Sequence, residues 1–219
     1  RMIPDIHIRA PRTVIIGVDE FHDFIEENSL KEYQQMDIDY KRIKKAFLES
    51  KMSRSIVRQI RTLIKNIKKP LAIRSSSLLE DSLYQPFAGI FSTYIIPNNH
   101  PDPEVRLEQC LSAIKMVFAS LYSPNAKAYI NAINYHLEEE KMAVVIQEVV
   151  GNQFGNSYYP HISGVAQSYN YYPVGYMEPE DGFSVLALGL GKYVVEGEKA
   201  YRFCPKYPKV DIVSMKDQF

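Results

Sequence analysis

The stretch LAIRSSSLLEDS, Leu71 to Ser82, decides how this sequence is read. Three apolar residues run into a single Arg74, then three serines, then Glu80 and Asp81. An apolar run bounded by polar turn residues predicts a buried strand that stops in a donor-rich loop. An arginine at that stop presents a planar fork of donors suited to phosphate oxygens, and the hydroxyls of Ser75, Ser76 and Ser77 add to it. The same arginine could instead pair with Glu80 or Asp81 and fix a turn. The residues alone leave both readings standing.

Upstream of this stretch the pattern is helical. TVIIGV (Thr13 to Val18) reads as a short buried strand, and DEFHDFIEEN after it as a helix with Phe21, Phe24 and Ile25 on one face and Asp19 as N-cap. DYKRIKKAFLES puts Ile43, Phe47 and Leu48 on one side. In SRSIVRQIRTLIKNIKK, residues Ile56, Ile60, Leu63, Ile64 and Ile67 form an amphipathic stripe, with Ser53 as cap and Pro70 as stop. The basic face of that helix (Arg54, Arg58, Arg61, Lys65) is read as a solvated face, because no aromatic residues interleave it.

Downstream, QPFAGIFSTYIIP predicts a strand from about Ile90 to Ile96. A long helix follows, with a seam of Leu107, Leu111, Ile114, Phe118 and Leu121. Ser123-Pro124 starts another, running to about Glu139. From MAVVIQEVV onward the texture is β-rich, with HISGVAQSYN, FSVLALGLG and KAYRFCP as further short strands. Helices in the first half and strands in the second predict an α+β protein rather than a regular βαβ array. The expected organisation is one domain over residues 1–219, with a helix-rich lobe to about residue 140 that carries the Arg74 strand and a β-rich lobe from about 141.

Composition narrows the function classes. The chain has 219 residues, with 26 basic and 26 acidic side chains, so net charge supplies no footprint for nucleic acid. The longest apolar runs are far too short to span a membrane, and the opening RMIPDIHIRA lacks the shape of a signal peptide. Two cysteines, Cys110 and Cys204, and five scattered histidines lack metal-ligand spacing; a reducing, cytoplasmic compartment is the expectation.

Three more places break the structural pattern. In FAGIFSTY, Gly89 marks a close backbone approach or a β-bulge, and Thr93 adds a hydroxyl. In VVIQEVV, the polar pair Gln147-Glu148 interrupts an apolar strand. It reads as a hinge where the backbone edge meets a heteroaromatic ring, or as a surface strand with both polar residues facing out. In ALGLGKYVVEG, Gly189, Gly191 and Gly197 surround Lys192 at a spacing that fits neither a Walker motif nor a dinucleotide fingerprint.

Taken in order, IRSSSLLEDS, FAG, VVIQEVV, SGVAQ and LGLGKYVVEG resemble the nucleotide-binding domain of phosphoenolpyruvate synthase and pyruvate phosphate dikinase, and a similar domain in rifampicin phosphotransferase. The resemblance runs from about Ile3 to about Phe203. It implies an ATP-grasp-like fold that holds ATP, incomplete at both ends. Arg74 would then contact the phosphates and serve as the catalytic residue, Gly89 and Thr93 would belong to the loop over them, and Gln147 and Val149 would lie at the adenine edge. The implied reaction is phosphoryl transfer from ATP to a histidine on another domain and then to pyruvate. The partners would be the phosphohistidine and pyruvate-binding domains of a longer parent, with this piece inactive alone. The family's glycine-lysine segment would precede this chain and its acidic, Mg2+-binding segment would follow Phe219, so metal ligands are expected outside these residues. Ser77-Leu78-Leu79 stands where the family has Ala-Thr-Ala, and Lys192 replaces an acidic residue. These departures motivate an alternative, a non-catalytic nucleotide-sensing or interaction module with the same fold.

Overall fold

A computed structural model describes residues 6–35, 38–79, 89–133, 140–191, 193–194 and 200–210. It divides into two compact units, Arg1–Val149 and Val150–Phe219. Helices packed on antiparallel sheets make it an α+β protein.

The first unit is built on a four-stranded antiparallel sheet in the order β1 (Thr13–Ile16), β4 (Met142–Glu148), β2 (Leu71–Ser77), β3 (Tyr94–Ile96). Its helices are α1 (Val18–Glu27), α2 (Glu32–Gln35), α3 (Tyr40–Glu49), α4 (Arg54–Asn66), α5 (Pro103–Ser120) and α6 (Pro124–Ala132). Local chemistry sets where most of them start. The side chains of Asp39, Ser53, Asp102 and Ser123 each accept a backbone N–H of the first turn that follows, and Pro103 and Pro124 open α5 and α6. Ser53 Oγ also donates to Glu20 Oε2 (3.0 Å), tying the start of α4 to α1. Asp19 is not a cap. The chain turns helical at Val18 behind an extended Gly17, which leaves Asp19 in the first turn, where its charge favours the helix N-terminus.

One face of the sheet is covered. Helix α5 packs on β2, β3 and β4, and α1 packs on β4. The predicted stripe of α4 lies buried at Ile56, Ile60, Ile64 and Ile67. Helix α5 is buried on more than its predicted seam, at Cys110, Ala113, Val117 and Ala119 as well, because it is sandwiched between the sheet and the neighbouring helices α3 and α4. An aromatic cluster closes the space between helices: Phe118 lies 5.1 Å from Phe21 and 5.5 Å from Phe24, and Phe47 lies 5.7 Å from Phe24 and 5.4 Å from Tyr122, centroid to centroid.

Strand β3 is shorter than predicted, three residues rather than seven. Ile90 and Phe91 are apolar because they enter the core, not because they pair: both are buried, and Ser92 N donates to Ser120 Oγ (3.1 Å). The expected extension of α6 to Glu139 lies largely outside the described residues.

The second unit pairs β5 (Asn152–Phe154) with β6 (Ser157–Tyr159) across a turn at Gly155. It stacks β7 (Ile162–Gln167), β8 (Phe183–Leu188) and β9 (Tyr201–Phe203) into a three-stranded antiparallel sheet. Gly164 in β7 is a close-approach glycine, since a Cβ there would stand 2.7 Å from Val185 O and against Leu186 Cδ2. Arg202 lies 4.0 Å over the Phe183 ring, and Lys206 pairs with Asp181 at 2.6 Å.

Candidate functional site

Strand alternation and register sort the first unit's sheet residues onto two faces. Residues directly opposed in an antiparallel ladder share a face. One row is therefore Thr13, Gln147, Ala72 and Ile95; the next is Ile15, Val145 and Arg74. These rows lie away from the helices: Ile15 is 66% exposed and Ile95 58%, and Arg74 is exposed too. The opposite rows, Ile16–Val144–Ser75 and Val14–Ile146–Ile73–Tyr94, face the helical layer. Among the described residues no helix of this unit covers the outward face.

Arg74 stands near the middle of that face, opposite Val145. Among the described residues no carboxylate pairs with it; Glu80 and Asp81, the partners of the turn-fixing reading, lie outside them. Gln147 is diagonal to Arg74, at the roughly 7–8 Å spacing of such neighbours. Its Nε2 donates to Thr13 Oγ1 (3.0 Å), which fixes the amide across the β1–β4 pair. Among the described residues the face thus offers the Arg74 guanidinium, a fixed amide and a hydroxyl on a floor of Ile15, Val145, Ala72 and Ile95.

Gln147 and Glu148 do not both face out. Glu148 turns inward at the sheet's end, opposite Leu71, and is 9% exposed. Lys69 Nζ and Arg12 Nε each lie 2.8 Å from its carboxylate. The Lys69 ammonium, then the Arg12 guanidinium, hold this carboxyl below its usual range against the opposing effect of burial. Val149 follows with its N–H donated to Pro70 O (2.9 Å), so its backbone donor is already engaged.

Gly89 and Thr93 flank the tethered Ile90–Ser92 segment, and both are exposed. Gly89 has φ +86°, a conformation that favours glycine, while a Cβ there would meet nothing within 4 Å. Among the described residues the turn, not crowding, requires the glycine. In the second unit Gly189 also has positive φ (+80°), and Ser163 Oγ donates to its carbonyl (2.6 Å). Lys192 and Gly197 lie outside the described residues.

The structure brings Arg74 and Gln147 onto one face, leaves Gly89 and Thr93 on the segment leading into edge strand β3, and puts Val149 just past the end of β4. A groove of about 530 Å³ opens between β1 and α4; Thr13 and Ile15 line it, and none of the five residues does. Thr13, Ile15 and Val145 were not singled out from sequence. Among the described residues no three His, Cys, Asp or Glu side chains converge as metal ligands. Burial pushes the Cys110 thiol up to about 12, so it is protonated at neutral pH. No described helix is long and apolar enough to cross a membrane.

Residues 1–215 match the family model described as pyruvate phosphate dikinase, AMP/ATP-binding domain. The chain is 26% identical over 211 residues to a protein named phosphoenolpyruvate synthase from Deinococcus radiodurans, covering 87% of this chain and 24% of the relative. A phosphoenolpyruvate synthase from Aeropyrum pernix is 30% identical over 142 residues, 64% of this chain and 15% of the relative. The uncharacterized phosphotransferase YvkC of Bacillus subtilis is 27% identical over 191 residues, 86% of this chain and 20% of the relative. The chain therefore spans less than a quarter of the length of each of these relatives.

Proposed function

This chain belongs to the family of pyruvate phosphate dikinase AMP/ATP-binding domains, and from that premise we propose that it binds ATP on the outward face of the β1–β4–β2–β3 sheet. The observation that carries the reading is Arg74, an exposed guanidinium without a carboxylate partner among the described residues, set in a largely apolar face. A free guanidinium there gives phosphate oxygens two parallel donors, and the apolar floor limits competition from water. Gln147 contributes an amide whose orientation Thr13 sets, and Ile15 and Val145 supply flat apolar area for a purine ring. Gly89 and Thr93 take the part of a loop over the phosphates, and the Gln147 and Val149 side chains that of the adenine edge, in an ATP-grasp-like arrangement.

The reaction proposed for the longer protein is transfer of a phosphoryl group from ATP to a histidine on another domain and from there to pyruvate, and this chain alone is inactive. The relatives named phosphoenolpyruvate synthase and phosphotransferase support that reading. Arg74 would position the phosphates and offset developing charge, which is most of what phosphoryl transfer asks of a protein. Mg2+ would add charge neutralisation from ligands beyond the described residues. A cytoplasmic location is supported by two buried, unpaired cysteines. Calorimetric titration with ATP tests the binding reading: measurable affinity in the wild type and a large loss in Arg74→Ala are expected, and equal affinity in the two would remove Arg74 from the site.

One observation favours a second reading, a nucleotide-sensing module without catalysis. Leu78 is 68% exposed where the family pattern has a hydroxyl, and the hydroxyl of neighbouring Ser77, which stands for an alanine, is buried, so the end of β2 presents no hydroxyl to solvent at these two positions. ATP binding with no phosphoryl transfer in the full-length protein is the result that reading expects.

A further inference from the structure

Behind the sheet's Leu71 end lies a small polar pocket of about 240 Å³, lined by Lys68, Asn98, Asn99, His100, Pro101 and Arg106. It is below the size of sites that hold drug-like ligands. Its charged lining is of one sign: Lys68 and Arg106 contribute cations, and none of the lining residues is a carboxylate. None of the described residues pairs with Lys68, which is exposed. The two acids that follow the lining loop in sequence have bonds of their own. Asp102 caps α5 through Glu104 N (2.8 Å), and Glu104 holds Arg61 through two bonds.

Two lining side chains are almost wholly buried and incompletely bonded. Arg106 is 6% exposed. One of its terminal nitrogens donates to Ile64 O (2.9 Å) and Ile67 O (3.4 Å) at the end of α4, yet its Nε has no partner. Asn98 is 0% exposed and takes φ +51°. Its amide donates to Ile67 O (2.8 Å) and Lys69 O (3.0 Å), yet its Oδ1 has no partner. Both side chains donate to the Ile67 carbonyl, and both line the pocket, so it is bordered by one residue with an unfilled donor and one with an unfilled acceptor. Leaving either unsatisfied is costly. His100 also lines the pocket, its Nδ1 lying 3.1 Å from Asp102 N and 3.4 Å from Asp102 O.

We propose that this pocket binds a small protonated tetrahedral oxyanion, with hydrogen phosphate as its archetype. Such an ion carries acceptor oxygens for Arg106 Nε and Lys68 Nζ and one O–H for Asn98 Oδ1. Sulfate has the same shape and charge but no proton to offer at neutral pH, so the pocket distinguishes the two. The site is separate from the nucleotide face and does not depend on it, since Arg74 does not line it.

The test is calorimetric titration of the intact chain with sodium phosphate at neutral pH and constant ionic strength, in parallel with sodium sulfate. Saturable phosphate binding, about tenfold or more tighter than sulfate, is expected from the one hydrogen bond that only phosphate donates. Lys68→Glu, at an exposed position that leaves the fold intact, weakens phosphate by about tenfold or more. In an Arg74→Ala background, which removes any phosphate held at the nucleotide face, the saturable Lys68-dependent binding persists. Absence of saturable binding overturns the proposal, as water alone then fills the pocket. So does equal affinity for sulfate, indifference to Lys68→Glu, or loss in Arg74→Ala, which would assign the phosphate to the nucleotide face.

Discussion

Lys69 Nζ lies 2.8 Å from Glu148 Oε1, joining the loop before β2 to the inward-facing end of β4. Arg12 closes on the other oxygen from the segment before β1, so one carboxylate clasps three stretches of chain far apart in sequence. Glu148→Gln keeps the volume but loses the charge. Because Lys69 and Arg12 are about half exposed, screening reduces the loss, and about 1–2 kcal/mol of stability is expected in urea unfolding.

The same carboxylate predicts a pH dependence. Its folded value is depressed, so its contribution is complete above the unfolded carboxylate range, near 4.3, and is lost as pH falls through the lower folded value. Unfolding midpoints measured from pH 7 to pH 3 should fall less steeply in Glu148→Gln than in the wild type. Parallel curves would show that the clasp does not titrate with folding.

Arg74→Ala should separate binding from stability. The side chain is exposed and without a carboxylate partner among the described residues, so thermal unfolding should change by no more than about 0.5 kcal/mol. ATP affinity should fall about 10- to 100-fold, the worth of a charge-assisted bidentate contact. Arg74→Lys should recover only part of it, because an ammonium lacks the fork.

Phe118→Ala removes a fully buried ring that touches Phe21 and Phe24 between α1, α3 and α5. A cost of about 3–5 kcal/mol is expected, read from denaturant midpoints. A cost below 1 kcal/mol would mean that the cluster collapses into the space.

How far the sequence discloses this architecture differs from place to place. Arg74 stands out in the sequence because a lone charge after an apolar run is locally odd, and its place in β2 follows from that run. The α4 stripe was legible because 3.6-residue periodicity is local as well. Thr13 and Ile15 were not, since their place beside Gln147 and Val145 depends on a ladder between residues more than 130 positions apart. Alternation alone puts Gln147 and Glu148 on opposite faces; which one faces the core depends on register with β2. The apolar run at Ile90–Phe91 misled for a related reason, because burial in a tethered loop and burial in a strand look the same over so few residues. The anion pocket was illegible too, as it joins a helix end to a loop thirty residues away.

Gly89 and Gly164 are both motif glycines, but different physics requires them. Gly89→Ala should cost about 1–2 kcal/mol from backbone strain at positive φ, without a clash against any described residue. Gly164→Ala meets a backbone oxygen and Leu186 across the β7–β8 pair, and overpacking there should cost about 1–3 kcal/mol. Substitution by Asn, which tolerates left-handed backbone, should recover part of the loss at Gly89 and deepen it at Gly164. Recovery at both sites would show that crowding in β7 relaxes.

Cys110 gives a kinetic test of the core. Its thiol is fully buried on α5 and burial raises it to about 12, so at neutral pH the reactive thiolate is scarce and shielded. Cys204, in the second unit, is equally buried. Neither should react with a disulfide reagent in native buffer faster than its unit opens. Modest urea, well below the midpoint, should therefore accelerate labelling of each cysteine in step with the opening of its own unit. Peptide mapping of the labelled protein would resolve two separate rates if the units open independently. Immediate labelling of Cys110 in native buffer would contradict the packing of α5 between the sheet and its neighbouring helices.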